Sequence, residues 1–159
     1  TTQQNYISSF NHIMNVNFNS NVRLTNRLCR IMPKGSSIIF TTSIHSKFAS
    51  QNSSAYCSSK AALTMFAKCA ALDLGSRGIR VNTVAPGTMD TELHKEQFDT
   101  KEKQQEEMRL LGKKLPIKHL TTLQGVANTI LFLSSNQSED ITGTEQTVDC
   151  GQSLLLGET

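Results

Sequence analysis

Long apolar runs are missing from this sequence, where none exceeds a few residues. A helix that crosses a bilayer needs about 20 consecutive apolar residues, so no membrane span is expected. The opening Thr1-Thr-Gln-Gln4 carries no apolar stretch of the kind a secretory leader needs, and a cytoplasmic protein is expected. Closely spaced cysteines are missing as well. Cys29, Cys57, Cys69 and Cys150 form no CxxC pair, and His12, His45, His94 and His119 are scattered, so reduced thiols and no metal site are expected. Same-sign charge clusters are also lacking. Sixteen Lys and Arg against thirteen Asp and Glu leave a net charge of +3, and the one charged run, Lys101 to Lys118, mixes both signs. A nucleic-acid surface needs clustered cations, so no such partner is expected. Internal repeats and a dividing linker are absent too, which leaves a single domain over residues 1–159.

What is present is an alternation of two periods. From about Asn5 to Met32 apolar residues such as Phe10, Ile13, Met14, Leu24 and Leu28 recur at helical spacing. Asn15-Val-Asn-Phe-Asn-Ser-Asn21 interrupts them with residues that each cost about 0.5 kcal/mol against alanine in a helix. Such a local conflict marks either a surface kink or a functional site. Pro33-Lys-Gly35 is expected to end this helix. A strand is expected at Ser37–Thr42, whose continuous apolar core Ile38-Ile-Phe40 suits a buried parallel strand. After a polar loop from Thr41 to Ser53, a long helix is expected from Ser54 to Leu74, capped by Ser53 or Ser54 and closed by Gly75. A second strand, Ile79–Ala85, runs into Pro86-Gly87. The charged segment Asp90 to Lys114 contains a helical run at Lys101–Leu111. Leu115-Pro116 breaks it, Thr121 and Thr122 open a helix at Leu123–Ser134, and a last strand lies near Glu145–Val148. This order defines an α/β fold with right-handed crossovers and a parallel sheet. The first strand would leave an open edge unless something covers it.

The chemistry centres on Ser54-Ala-Tyr-Cys-Ser-Ser-Lys-Ala-Ala-Leu63. Tyr56 and Lys60 are four residues apart, so on a helix they share one face. A free tyrosine, with a pKa of about 10, is a poor base near neutrality, and an adjacent ammonium favours its phenolate. Taken singly, the pair also fits an amphipathic surface, and Ser43 fits a capping hydroxyl at a strand end.

Ser43, Tyr56-Cys-Ser-Ser-Lys60, Val81-Asn-Thr-Val-Ala-Pro-Gly87 and Val148-Asp-Cys-Gly151, in this order, resemble the short-chain dehydrogenase/reductase family. The resemblance extends over essentially all 159 residues and covers the C-terminal part of such a protein. It implies a truncated Rossmann-like doubly wound parallel sheet with about three strands. The family's glycine-rich phosphate-binding turn and its Asn-Asn-Ala-Gly segment are not in the sequence. The resemblance further implies NAD or NADP as cofactor, a small alcohol or carbonyl substrate, and a homo-oligomer. Tyr56 is then the general acid/base, and Lys60 supports it and hydrogen-bonds the nicotinamide ribose. Ser43 orients the substrate oxygen, and Asn17 holds a water that relays protons to Lys60. Pro86, Gly87, Met89 and Thr91 hold the nicotinamide end, His45 lies near the substrate, and Asp90 to Lys114 forms a mobile lid. Cys150 stands where the family usually has glycine, and Lys118-His119-Leu120 replaces an arginine-glycine pattern. Two readings follow. One is an NAD(P)-dependent oxidoreductase; the other is a binding or scaffolding protein descended from such enzymes, without the dinucleotide site.

Overall fold

The strands form where β-branched and aromatic residues cluster. Ile38, Ile39 and Phe40 build β1 (Ser37–Thr41), and Val81, Val84 and Ala85 build β2 (Arg80–Pro86), every residue of which is buried. The structure, a computed structural model, describes residues 2–91 and 100–157. Within it β2 is the middle strand of a three-stranded parallel sheet in the order β1-β2-β3, with β3 at Glu145–Val148. Ser37 pairs with Arg80 through to Thr41 with Val84, and Thr83 pairs with Glu145 through to Pro86 with Val148.

Side chains alternate across a strand, so both faces of β2 need a cover. Val81, with Ile38 and Phe40 beside it, packs on Leu63, Ala67, Ala70 and Ala71 of α3 (Ser54–Gly75). The alanines let this helix approach the sheet closely. Val84, with Ile39, faces Val126 and Leu133 of α5 (Leu123–Ser134) on the other side. Asn82, a polar residue at full burial, is satisfied there. Its amide donates to the Ile141 carbonyl at 2.8 Å and its oxygen accepts from the Thr144 amide at 3.1 Å, which fixes the turn into β3. Buried Arg80 forks onto the Leu133 carbonyl at 2.8 Å, the Ser135 carbonyl at 3.0 Å and the Ser138 hydroxyl at 3.0 Å. It thereby satisfies carbonyls that the end of α5 leaves free.

Four local expectations are corrected. Residues from Thr2 are helical rather than a loop, in α1 (Thr2–Met14). The asparagine-rich stretch does not break the helix into a loop. It widens into a π-helical turn at Asn15–Asn19 and continues as α2 (Ser20–Leu28), which ends before Pro33. Asparagine side chains compete with the helix ladder by bonding backbone groups nearby. Here Asn21 Nδ2 donates to the Asn17 carbonyl at 2.8 Å and Asn19 Nδ2 to Asn15 Oδ1 at 2.6 Å. Gly75 is the last residue of α3, and the left-handed position is Gly78, at φ +68°. Ser53 precedes α3 but makes no side-chain cap, since its hydroxyl donates to the Gln51 carbonyl instead. Thr122 does cap α5, accepting from the Gly125 amide at 3.0 Å.

The charged segment forms α4 (Lys101–Lys114), three residues longer than its periodicity suggests, capped by Thr100. Residues 92–99 of the segment expected to act as a lid lie outside the described residues. A short helix, α6 (Gln152–Leu156), follows β3. Among the described residues no helix is long and apolar enough to cross a membrane, and no group of His, Cys, Asp and Glu is placed to hold a metal ion.

Candidate active site

Parallel strands bring their carboxyl ends to one edge, where open α/β sheets bind ligands. β1 runs out into Thr42 and Ser43, β2 into Gly87, Thr88 and Met89, and the first turns of α3 flank both. A cavity of about 740 Å³ opens there. Of the residues singled out in the sequence, Ser43, Tyr56, Lys60, Pro86, Gly87, Met89 and Thr91 all line it, as does His45. Asn17 does not. Its Nδ2 donates to the buried Ser59 hydroxyl at 3.1 Å, and that hydroxyl donates to the Tyr56 carbonyl at 2.7 Å. Asn17 thus reaches the helix that carries Tyr56 rather than the cavity wall.

Ser43 is extended, at φ −166° and ψ 159°, and caps a 3-10 turn at Ile44–Ser46. Its Oγ accepts from the His45 amide at 3.2 Å, which leaves the hydroxyl hydrogen to donate elsewhere. His45 Nδ1 lies 3.0 Å from the Phe48 carbonyl, an acceptor, so Nδ1 is the donor of this bond. Lys60 Nζ donates to the Thr41 carbonyl at 3.0 Å, joining α3 to the end of β1. It also stands 5.6 Å from the centroid of the Tyr56 ring. Burial strips water from the ammonium and holds the Lys60 pKa below its ordinary value.

The opposite wall is a backbone loop. Gly87 donates to the Val148 carbonyl at 2.9 Å, and a Cβ there would come within 2.8 Å of both Cα and Cβ of Asp149. Only glycine permits this approach. Gln152 of α6 clasps the next residue, accepting from the Thr88 amide at 2.8 Å and donating to its hydroxyl at 2.9 Å. Sequence reasoning overlooked Gln152, and it overlooked Glu145 too. Glu145 starts β3 and sends its carboxylate behind β2 to the base of the Ser43 segment. Burial pushes its pKa up. Hydrogen bonds from Lys47, Thr64 and Ser46 and the Lys47 charge outweigh that and hold it below the usual carboxylate range. Neither residue belongs to a periodic pattern or a motif that would have revealed it. The two departures from the family's pattern fall at left-handed backbone positions, Lys118 at φ +62° and Cys150 at φ +57°.

The chain resembles known proteins in both sequence and fold. Residues 3–153 match the family model described as Enoyl-(Acyl carrier protein) reductase. The mouse (Mus musculus) L-xylulose reductase is 33% identical over 141 residues, covering 84% of this chain and 56% of that protein. A short chain dehydrogenase family protein from Francisella tularensis superposes with a TM-score of 0.86 at 31% identity, covering 93% of this chain and 63% of that one. The Bacillus cereus enoyl-acyl carrier protein reductase, solved with NADP+ and an indole naphthyridinone, gives 0.81 at 27% identity, covering 91% and 55%. The chain belongs to the short-chain dehydrogenase/reductase family, and its three parallel strands with flanking helices are part of that family's Rossmann-like α/β fold. It spans about half the length of the curated relatives it matches.

Proposed function

We propose that these residues form the proton-transfer half of an NAD(P)-dependent oxidoreductase that interconverts a small alcohol and its carbonyl compound. The observation that carries this reading is the convergence of Ser43, Tyr56 and Lys60 with the Gly87–Met89 backbone on one cavity at the carboxyl ends of the strands. The donor set fits the nicotinamide end of the cofactor. Lys60 and Tyr56 stand on one wall for the ribose, while Pro86, Gly87, Met89 and the Thr91 hydroxyl stand on the other for the carboxamide. When bound, the nicotinamide supplies or takes up the hydride.

The chain's own residues handle the proton. During reduction Tyr56 gives its phenolic proton to the carbonyl oxygen, and during oxidation it takes the alcohol proton. Ser43 donates its free hydroxyl hydrogen to the same oxygen, stabilising the charge that gathers there. Lys60, placed over the phenol ring, stands ready to hydrogen-bond the nicotinamide ribose, and Asn17, bonded to Ser59, steadies the helix that carries Tyr56 and Lys60. The protein is homo-oligomeric in this reading, as the family likeness implies.

Titration of the chain with NADH and NADPH, followed by nicotinamide fluorescence, tests the reading. Saturable binding of either nucleotide is expected. In turnover, Tyr56→Phe is expected to lower the rate by about 10²–10⁴-fold without unfolding the chain. Absence of binding by a folded, monodisperse chain, or full activity in Tyr56→Phe, overturns it.

A further inference from the structure

Glu145 makes an unusual set of contacts for the first residue of a strand. Its side chain is only 4% exposed, and it is held from two directions. From the segment around Ser43 come the Thr42 hydroxyl at 3.3 Å, the Ser46 hydroxyl at 3.2 and 3.3 Å, and the Lys47 ammonium at 2.8 Å. From α3, one turn beyond Lys60, comes the Thr64 hydroxyl at 2.6 Å. A carboxylate removed from water is costly unless its oxygens are satisfied, and a network that loses one member leaves the rest unpaired. These contacts therefore act as one clamp, fastening the Ser43 segment to the helix of Tyr56 and Lys60.

We propose that Glu145 is a positioning residue of the reaction, fixing the Thr42–Lys47 segment, which presents Ser43 and His45 to the cavity, against α3, which presents Tyr56 and Lys60. Glu145 reaches neither Ser43 nor Tyr56 itself; it acts through their neighbours on both sides. The inference rests on the oxidoreductase reading for its consequence in turnover, but the clamp is a property of the chain alone. Reacting groups must face each other closely, and misplacement by about 1 Å can cost about 100-fold in rate. The clamp sets that distance from behind the site.

The test uses Glu145→Gln, Glu145→Ala and Thr64→Val, the last of which severs only the α3 end. The first readout is hydrogen exchange without cofactor, at the amides of Ser46, Lys47 and Phe48, which donate to the Ser43 and Ile44 carbonyls. Exchange about tenfold faster is expected at these amides in Glu145→Ala. Remote amides are expected to keep their rates, such as Arg80 on the Ser36 carbonyl and Val126 on the Thr122 carbonyl. The second readout is turnover, where kcat is expected to fall about 10–100-fold while the KM for nucleotide stays within about twofold. Glu145→Gln, which keeps the size and one acceptor oxygen, is expected to fall between Glu145→Ala and the parent. Uniformly faster exchange at all these amides would mark Glu145 as a general stability element and overturn the proposal. Local loosening with unchanged kcat would overturn it too. If the parent chain binds neither nucleotide, the oxidoreductase reading fails, and the exchange pattern still decides whether Glu145 holds the segment. Should Glu145→Ala fail to fold, Glu145→Gln and Thr64→Val give the same comparison.

Discussion

Asn17 and Ser59 are joined by a hydrogen bond of 3.1 Å, from an amide in a π-helical turn to a hydroxyl with no solvent exposure in the second turn of α3. The same hydroxyl passes a bond on to the Tyr56 carbonyl. The widened turn and the helix that presents the phenol are thus fastened together from behind the cavity.

A double-mutant cycle of Asn17→Ala and Ser59→Ala, followed by denaturant unfolding, should give a coupling energy of about 1 kcal/mol. The single changes remove different partners, so only the cycle isolates the pair. Additive single effects would mean that water replaces the bond without loss.

Lys60 should show a conflict between stability and function. Burial lowers its pKa in the fold, so the folded chain holds this proton less tightly than the unfolded chain. Its effect on stability is therefore unfavourable at neutral pH, and fades as pH climbs from the lowered value toward the ordinary lysine value of about 10.4. Lys60→Met should leave the pH 7 unfolding midpoint equal or higher, flatten the rise in stability at alkaline pH, and weaken NADH binding. A loss of more than about 1 kcal/mol at pH 7 would show that the bond to the Thr41 carbonyl dominates instead.

Glu145 predicts an acid weakness of the opposite sign. Its folded pKa lies below the ordinary carboxylate value, so its contribution is complete above about pH 4.3 and is lost as pH falls through the lowered value. Urea midpoints of the parent chain should drop over that acid window. Glu145→Gln has no such proton to bind, and its midpoints should drop less. Parallel curves for the two proteins would exclude Glu145 as the group concerned.

Lys118 and Cys150 occupy left-handed backbone positions where a Cβ costs about 1–2 kcal/mol and glycine costs little. Part of the gain from substitution is offset by the freedom that glycine gives the unfolded chain. Lys118→Gly and Cys150→Gly should each raise stability by about 0.5 kcal/mol, read from denaturant midpoints at constant slope. A clear loss at Cys150 would show that the Sγ contact with His119 Nδ1, at 3.6 Å, outweighs the backbone strain.

Much of the architecture was legible because it is written in short-range patterns. Ile38-Ile-Phe40 and Val81 to Ala85 announce strands covered on both faces, and the i, i+4 spacing of Tyr56 and Lys60 puts both on one face of a helix. Pro86-Gly87 marks the end of a strand. Cap and boundary details were less legible, since Ser53 could cap α3 but bonds the Gln51 carbonyl instead. The asparagine cluster announced a conflict without saying how it would resolve. A widened helix and a broken one share the same local composition, and packing against α3 selects the first.

By itself the sequence determined which stretches would be strands and helices, their order, and which side chains would stand at the strand ends, because these depend on neighbours within a few residues. Only the tertiary structure decided that Glu145 would meet Thr42, Ser46 and Thr64, that Gln152 would clasp Thr88, and that Asn17 would turn to Ser59. Those partners lie 42 to 103 residues apart. They meet only once sheet register and helix packing have set which surfaces face each other, and no local period carries that information.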